Sequence, residues 1–207
     1  MSQSSTSPAS YNQQVFMYTL AEILPAQGTW HEEEYLWLSS RTNRLIEFTD
    51  GYVEVLPMPT DEHQRIVLFL YRVLYAFLKS YTTGIILTAP LRLRLEGGKF
   101  REPDLLLLMS ADDPRRHNQY WEGADLVIEV VSPDDPNRDI VEKRREYAES
   151  GIPEYWIINP KSSTITVLQL AGDTYEEYGV FNRGDVMASP MLSAFHIAVD
   201  DVLNAEA

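Results

Sequence analysis

Two acidic residues lie in the most apolar parts of the sequence. Asp104 precedes the run Leu-Leu-Leu-Leu-Met at 105–109, and Glu129 lies inside the run Leu-Val-Ile-Glu-Val-Val at 126–131. Runs that are apolar at nearly every position indicate β-strands buried on both faces. An ionised carboxylate in such a place is strongly disfavoured unless a cation or several hydrogen bonds stabilise it. The two acids therefore predict a metal site on neighbouring core strands.

Paired carboxylates of this kind suit the hydrolysis of a phosphodiester bond. That reaction needs a divalent metal, which polarises the phosphate and lowers the pKa of a water, and a base or cation that positions the water. Mg²⁺ prefers a few carboxylate oxygens and retains several of its waters. We therefore expect Asp104 and Glu129 to bind Mg²⁺, for which Mn²⁺ would substitute.

A lysine that would complete such a site is missing from the strand itself. Position 131, on the same strand face as Glu129, is occupied by Val131. The nearest basic candidates are Lys143 and Arg144, on the predicted helix that comes after the strand. Projection places Arg144 near the centre of the apolar stripe of this helix and Lys143 at its edge, so helical geometry alone does not choose Lys143. At that edge, removal of Lys143 would leave folding nearly intact. The stripe consists of Ile140, Val141, Arg144, Tyr147 and Ala148.

The elements that position these residues form a mixed sheet with helices packed against it. Asp50-Gly51 predicts a tight hairpin, and Thr60 is a good N-cap for a long amphipathic helix. Helices are predicted at 31–39, 60–79 and 136–150. Strands are predicted at 44–48, 52–56, 85–88, 91–95, 102–109, 124–131, 154–158, 164–170 and 174–179, with a short strand before the C-terminus.

Composition indicates a soluble globular protein of one domain. The chain has 207 residues, of which 44% are apolar and 23% charged. It has no cysteine, which excludes disulfides and thiolate metal sites. No apolar run approaches the roughly 20 residues that span a bilayer, and the polar start has no features of a secretory signal. We expect a disordered tail at 1–14, a domain at 15–207 and a cytoplasmic location.

The net charge of −14 counts against a nucleic-acid partner, because phosphate contacts need lysine and arginine. The charge is unevenly distributed, since residues 61–170 contain fourteen basic and seventeen acidic side chains. Most of these basic residues are most simply solvated surface charges. The alternative is a locally basic cleft on an acidic protein.

Several segments, taken in order, resemble one known family. They are 47–51 (Glu-Phe-Thr-Asp-Gly), His63, 102–104 (Glu-Pro-Asp), 125–133, the trio Asp139, Lys143 and Tyr147, and 151–156 (Gly-Ile-Pro-Glu-Tyr-Trp). Over roughly residues 28 to 205 the chain is similar to the Uma-type restriction endonucleases of the PD-(D/E)xK superfamily. The combined order is specific, whereas any single segment is not.

The resemblance implies a restriction-endonuclease-like α/β fold and metal-dependent cleavage of DNA. It implies that Asp104 and Glu129 coordinate the metal and that Lys143 acts from the next helix. Glu47 and His63 match further positions of the family pattern, Glu47 as an outer metal or water ligand and His63 as a supporting residue. An enzyme that cuts both strands would most simply be a homodimer.

Each of these residues also has a plainer interpretation. Asp104 could end a turn, and Glu129 could be a buried acid paired with an arginine. Lys143 could form an i,i+4 salt bridge with Asp139. Glu47 could be an exposed hairpin charge, and His63 a core histidine with its hydrogen bonds satisfied. For the whole chain, the alternative to a nuclease is a nuclease-derived module that binds or assembles without cleaving.

Overall fold

The computed structural model of the protein describes residues 24–206. The predicted tail at 1–14 lies outside the described residues, as does the beginning of the predicted domain. Within the described part, no helix is both long and apolar enough to cross a bilayer.

The described residues contain helices of very unequal length. The helices are α1 (Glu32–Ser39), α2 (Asp61–Tyr81), α3 (Lys143–Glu149) and α4 (Val199–Leu203), with a 3₁₀ turn at Glu96–Gly98 and a π-helical turn at Arg138–Glu142. The strands are β1 (Ile46–Thr49), β2 (Tyr52–Val55), β3 (Ile85–Thr88), β4 (Arg92–Arg94), β5 (Phe100–Arg101), β6 (Leu105–Leu108), β7 (Tyr120–Trp121), β8 (Leu126–Val130), β9 (Glu154–Asn159), β10 (Thr164–Ala171), β11 (Thr174–Asn182), β12 (Val186–Ala188) and β13 (His196–Ala198).

A six-stranded mixed sheet forms the centre, with the strand order β11-β10-β9-β8-β6-β3. Only the β8–β9 pair in this sheet is parallel. Every residue of β6 and β8 is buried, as their apolar runs predicted. Alternate residues of β6 belong to two cores, because Leu105 and Leu107 share a cluster with α2 whereas Leu106 and Leu108 share one with α3.

A smaller sheet, ordered β2-β1-β5-β4-β7, packs against α1. The predicted hairpin joins β1 and β2, with Asp50 and Gly51 at φ angles of 50° and 82°, as a two-residue turn with both central residues left-handed requires. The strand predicted at 102–109 is wrong in extent. Of these positions only Leu105–Leu108 form a strand, β6 of the central sheet, whereas β5 of the smaller sheet ends at Arg101. Glu102-Pro103-Asp104 is therefore the point where the chain passes between the sheets.

The C-terminal segment is anchored to the central sheet by a buried acid. Glu154 of β9, 1% exposed, accepts hydrogen bonds from Trp156 Nε1 at 2.6 Å, Ser189 Oγ at 2.6 Å and the Met191 N–H at 2.9 Å. The predicted C-terminal strand is present as the β12–β13 pair, and α4 comes after it without having been predicted.

The helix predicted at 136–150 contains a π-helical turn. The predicted stripe is right for Ile140, Tyr147 and Ala148, which pack in the core, and wrong for Val141 and Arg144. The Lys143 N–H donates to the Arg138 carbonyl five residues earlier, so the turn contains one extra residue and rotates α3 about its axis. Lys143 is therefore buried, with 4% of its surface exposed, whereas Val141 of the predicted stripe is 59% exposed. Arg144, predicted near the stripe centre, has a side chain that is 33% exposed.

Candidate active site

Asp104 and Glu129 are neighbours across two paired strands. In the antiparallel β6–β8 pair Leu105 lies opposite Ile128, which places the two acids opposite each other one residue further along. The Val130 N–H donates to Asp104 Oδ2 at 2.7 Å, and the Asp104 N–H lies 3.4 Å from Glu129 Oε2. Both side chains line one cavity of about 260 Å³. The structure thus brings the two predicted metal ligands together.

Helix α3 supplies two donors to Glu129. Because Glu129 has the same strand parity as Val127 and Val131, it points to the face that α3 covers. Lys143 Nζ lies 2.9 Å from Glu129 Oε1, and the Tyr147 hydroxyl donates to the same oxygen at 2.6 Å. Lys143 Nζ also lies 3.0 Å from Asp139 Oδ1. The predicted Lys143–Asp139 salt bridge is therefore present, but it is buried and continuous with Glu129.

Burial and crowding of like charges hold a proton in this cluster. Burial raises the pKa of Glu129 to about 8, because the lowering effect of Lys143 is partly offset by the neighbouring Asp139 and Asp104 carboxylates. Burial disfavours the charged form of Lys143, yet Glu129, Glu47 and Asp139 together raise its pKa above the ordinary lysine value. Negative charge thus exceeds positive charge here, a condition that favours a bound proton or a bound cation.

His63 lies in the first turn of α2, where its N–H donates to the Thr60 hydroxyl at 3.2 Å. Its Nε2 lies 3.1 Å from Asp104 Oδ2. Burial lowers the pKa of His63, but the hydrogen bond and the charge of Asp104 outweigh burial and raise it above 6.5. Its Nδ1 is buried and has no hydrogen-bond partner among residues 24–206. The described residues therefore satisfy Nε2 of His63 and not Nδ1.

Glu47 lies behind Lys143, 1% exposed, so its interpretation as an exposed hairpin charge is wrong. Its Oε2 accepts from Arg101 at 2.8 Å and Arg138 at 2.6 Å, and its Oε1 accepts from the Glu102 N–H at 3.1 Å. Burial would raise the pKa of Glu47, but Lys143, Arg101 and Arg138 lower it to about 2. Its oxygens are committed to these donors, and Glu47 is not among the residues that line the cavity.

The donor set suits a hard divalent cation. Among residues 24–206, no group of three or more histidine or carboxylate side chains is arranged to hold a metal ion. Asp104 and Glu129 nevertheless present adjacent oxygens to the cavity, and Oδ1 of Asp104 accepts no hydrogen bond from the described residues. Two carboxylates with room for water fit Mg²⁺, which binds few protein oxygens and keeps several waters.

The cavity lining is acidic. It includes seven carboxyl side chains, of Glu54, Glu102, Asp104, Glu129, Asp134, Asp135 and Asp139, against the basic side chains of Arg138 and Lys143. Basic residues that precede Asp104 are held in ion pairs, such as Arg94 with Glu32 and Arg101 with Glu146. Among the described residues the alternative of a locally basic cleft is therefore wrong.

The sequence did not assign roles to three residues that complete the site. Asp139 and Tyr147 flank Lys143 at i−4 and i+4 and hold Lys143 and Glu129, respectively. Arg138 joins Glu47 to Glu54 at the mouth. The spacing 139, 143 and 147 was the available signal, since these positions recur on one face of a helix.

A family model described as "Putative restriction endonuclease", named Uma2, matches residues 32–200. The chain belongs to this Uma2 family. No curated protein matches the chain. Among solved structures, it is similar to a crystal structure of a putative nuclease belonging to DUF820 from Anabaena variabilis ATCC 29413. The identity is 21%, the TM-score is 0.69, and the alignment covers 87% of this chain and 98% of the other.

At that identity the likeness shows the fold and not the activity. The predicted family is confirmed, and so is the predicted restriction-endonuclease-like α/β fold in one domain. Nuclease function is what the family description suggests. The assignment of a metal, a substrate and catalytic residues to this chain rests on the geometry of the site.

Proposed function

We propose that the chain is a metal-dependent endonuclease that hydrolyses phosphodiester bonds of DNA. The observation that supports this most directly is the contact of Lys143 Nζ with Glu129 Oε1 at 2.9 Å, in a cavity that Asp104 also lines. Two carboxylates and an ammonium group on one wall of a cavity are the groups that such a hydrolysis requires.

Asp104 and Glu129 would hold the metal, which we propose to be Mg²⁺ with Mn²⁺ as a substitute. When bound, the ion would polarise the scissile phosphate and lower the pKa of the attacking water. The Val130 N–H and His63 Nε2 both contact Asp104 Oδ2, which leaves Oδ1 directed to other ligands. Tyr147 and Lys143 fix Glu129 through Oε1, so Oε2, which the Asp104 N–H approaches at 3.4 Å, would be the oxygen that binds the metal.

Lys143 would orient the attacking water or stabilise charge on the phosphate. Its side chain is 5% exposed and held by Glu129 and Asp139 on either side. Such pre-organisation is what a positioning cation needs, because little reorganisation remains at the moment of reaction. Lys143 thus contacts Glu129 from the helix. A lysine at position 131 would have contacted the same carboxylate from the strand.

The acidic lining supports a second candidate, a Uma2-fold module that binds a metal or a partner without cleaving DNA. Of the seven acidic side chains around the cavity, Glu102 and Glu129 have pKa values raised to about 8, and the others repel a polyanion unless cations compensate them. Metal binding is compatible with both candidates, so hydrolysis itself is the property that separates them.

The test is cleavage of supercoiled plasmid by the purified protein with Mg²⁺, Mn²⁺ or EDTA. Asp104→Ala serves as the inactive variant. Asp135→Ala, which removes an exposed acid from the same lining, serves as the matched control for charge. We expect cleavage that needs metal, is lost in Asp104→Ala and persists in Asp135→Ala. Equal cleavage by wild type and Asp104→Ala would point to a contaminating nuclease and reject the proposal.

Metal-dependent thermal stabilisation provides the second readout. A ligand that binds only the folded state raises its apparent stability, so Mg²⁺ should stabilise wild type and not Asp104→Ala. Stabilisation without cleavage of any DNA would support the module that does not cleave.

A further inference from the structure

The Arg138 guanidinium binds the Glu54 carboxylate in the geometry with which arginine also binds a phosphate. Its two terminal nitrogens donate in parallel to Glu54, NH1 to Oε1 at 2.9 Å and NH2 to Oε2 at 3.0 Å. Paired parallel bonds of this kind are how arginine recognises both carboxylates and phosphates.

The two acids that hold Arg138 differ greatly in exposure. Glu47 and Glu54 are cross-strand partners in the β1–β2 hairpin, where like charges directly opposite each other repel unless a cation lies between them. The Glu47 side chain is 0% exposed and its Oε2 lies 2.6 Å from NH2, whereas the Glu54 side chain is 60% exposed. Glu47 therefore fixes the guanidinium from behind, and Glu54 holds it loosely from the solvent side.

Arg138 is the basic residue of the described cavity lining that has an exposed acidic partner, Glu54. Lys143, the other basic residue of the described lining, lies within 4.0 Å of three buried carboxylates. Arg138 and Glu54 line the same cavity as Asp104 and Glu129. Arg138 and Lys143 both contact Glu47.

We propose that Arg138 binds a phosphate of the substrate and that Glu54 occupies its guanidinium until the substrate arrives. This inference rests on the proposed nuclease function. Exchange of one anion for another leaves the guanidinium paired throughout, and the released Glu54 carboxylate turns into solvent, where it is already largely exposed. The acidic cavity thus contains one phosphate site, which Glu54 occupies in the absence of substrate.

The test measures binding of a fluorescently labelled DNA duplex by anisotropy, with Ca²⁺ in place of Mg²⁺ to suppress cleavage. The variants are Glu54→Gln, Arg138→Lys, the double variant and Asp134→Asn. The last removes the same formal charge from the same lining, and Asp134 forms no ion pair with the described residues. We expect Glu54→Gln to bind about two- to fivefold more tightly than Asp134→Asn, the factor that an exposed ion pair is worth.

Arg138→Lys should weaken binding and abolish the gain from Glu54→Gln, because a lysine lacks the paired donors. Its thermal melt should stay near that of wild type, since a cation still faces Glu47. If it unfolds, Glu54→Gln and Asp134→Asn still decide, because both positions are exposed. Equal affinities of Glu54→Gln and Asp134→Asn, or a gain that survives Arg138→Lys, would overturn the inference.

Failure of the inference differs from failure of the proposed function. Wild type that binds and cleaves DNA, with no specific gain in Glu54→Gln, would reject the Arg138 phosphate site alone. No binding by any variant, together with no cleavage, would reject both.

Discussion

Lys143 and Glu129 meet at 2.9 Å although they lie fourteen positions apart, on a helix and on a core strand. The contact depends on the π-helical turn Arg138–Glu142, which turns Lys143 toward the sheet. Asp139, within that turn, contacts the same ammonium group at 3.0 Å. The carboxylates of this site therefore come from the sheet and from the helical segment that covers it.

Lys143→Ala should abolish metal-dependent plasmid cleavage and also destabilise the fold. The sequence alone suggested nearly intact folding, but the lysine is buried between carboxylates. Removal of one partner of a buried ion pair costs about 3–5 kcal/mol. Urea unfolding measures this cost, with Arg144→Ala as the control, since its side chain is 33% exposed and its loss should cost less than about 1 kcal/mol. Wild-type cleavage by Lys143→Ala would remove Lys143 from the mechanism.

The stability of the metal-free protein should fall as pH rises from about 4.5 to about 8. The pKa of Glu129 is raised from 4.5 to about 8, mainly by burial, so the folded state binds a proton that the unfolded state releases. The stabilisation that this proton gives the folded state is therefore complete below about pH 4.5 and is lost as the pH rises through about 8. Thermal melts in EDTA across this range measure it.

Glu129→Gln mimics the protonated acid and should flatten part of that pH dependence. Burial also raises the pKa of Glu102 to about 8, so Glu102→Gln is the matched control and should flatten a comparable part. Mg²⁺ should stabilise Glu102→Gln at pH 9 but not Glu129→Gln, because only the latter loses a proposed metal ligand. Equal stabilisation of both variants by Mg²⁺ would contradict the assignment of Glu129.

Tyr147→Phe should shift the pH profile of cleavage upward. Its hydroxyl donates to Glu129 Oε1 at 2.6 Å, and a hydrogen bond to the charged form of an acid lowers its pKa. Without it, Glu129 should keep its proton to higher pH. Tyr175→Phe is the control, because it loses a comparable bond to the Ile152 carbonyl, 2.8 Å long, away from the site. Each variant should lose about 1 kcal/mol of stability, and an identical pH profile for both would reject a role for Tyr147.

Glu154→Ala should destabilise the protein strongly while leaving the proposed metal site intact. Its carboxylate accepts hydrogen bonds from Trp156, Ser189 and the Met191 N–H, and each donor left unsatisfied costs about 1–3 kcal/mol. Urea unfolding should show a loss of at least about 3 kcal/mol. Mg²⁺ should still raise the melting temperature, and loss of that increase would indicate that the C-terminal anchor and the site are coupled.

The sequence predicted the features that depend on local pattern. The apolar runs around Asp104 and Glu129 identified β6 and β8, because strands buried on both faces leave few polar positions. The Asp50-Gly51 turn and the long helix α2 were also evident, since a turn residue pair and an apolar periodicity are both local signals.

The remainder depends on contacts between distant residues. Glu47 is buried because Arg101 and Arg138, 54 and 91 positions away, neutralise it. The π-helical turn is anchored by the Tyr155 hydroxyl, which donates to the Asp139 carbonyl at 2.9 Å. A helical projection assumes a uniform period and does not include contacts with distant residues such as Tyr155. The projection therefore placed Lys143 at the edge of the apolar stripe, whereas the structure buries it.

The split of the site between sheet and helix has an evolutionary consequence. Asp104 and Glu129 are fixed by β6 and β8, whereas Lys143 depends on how one helical segment is wound. Under the proposed function, a substitution that unwinds the π-helical turn would remove hydrolysis while sparing Asp104 and Glu129. Relatives with such a substitution would keep both acids and lose the lysine contact. If the proposed function holds, the two acids alone are therefore a poor guide to which relatives cleave DNA.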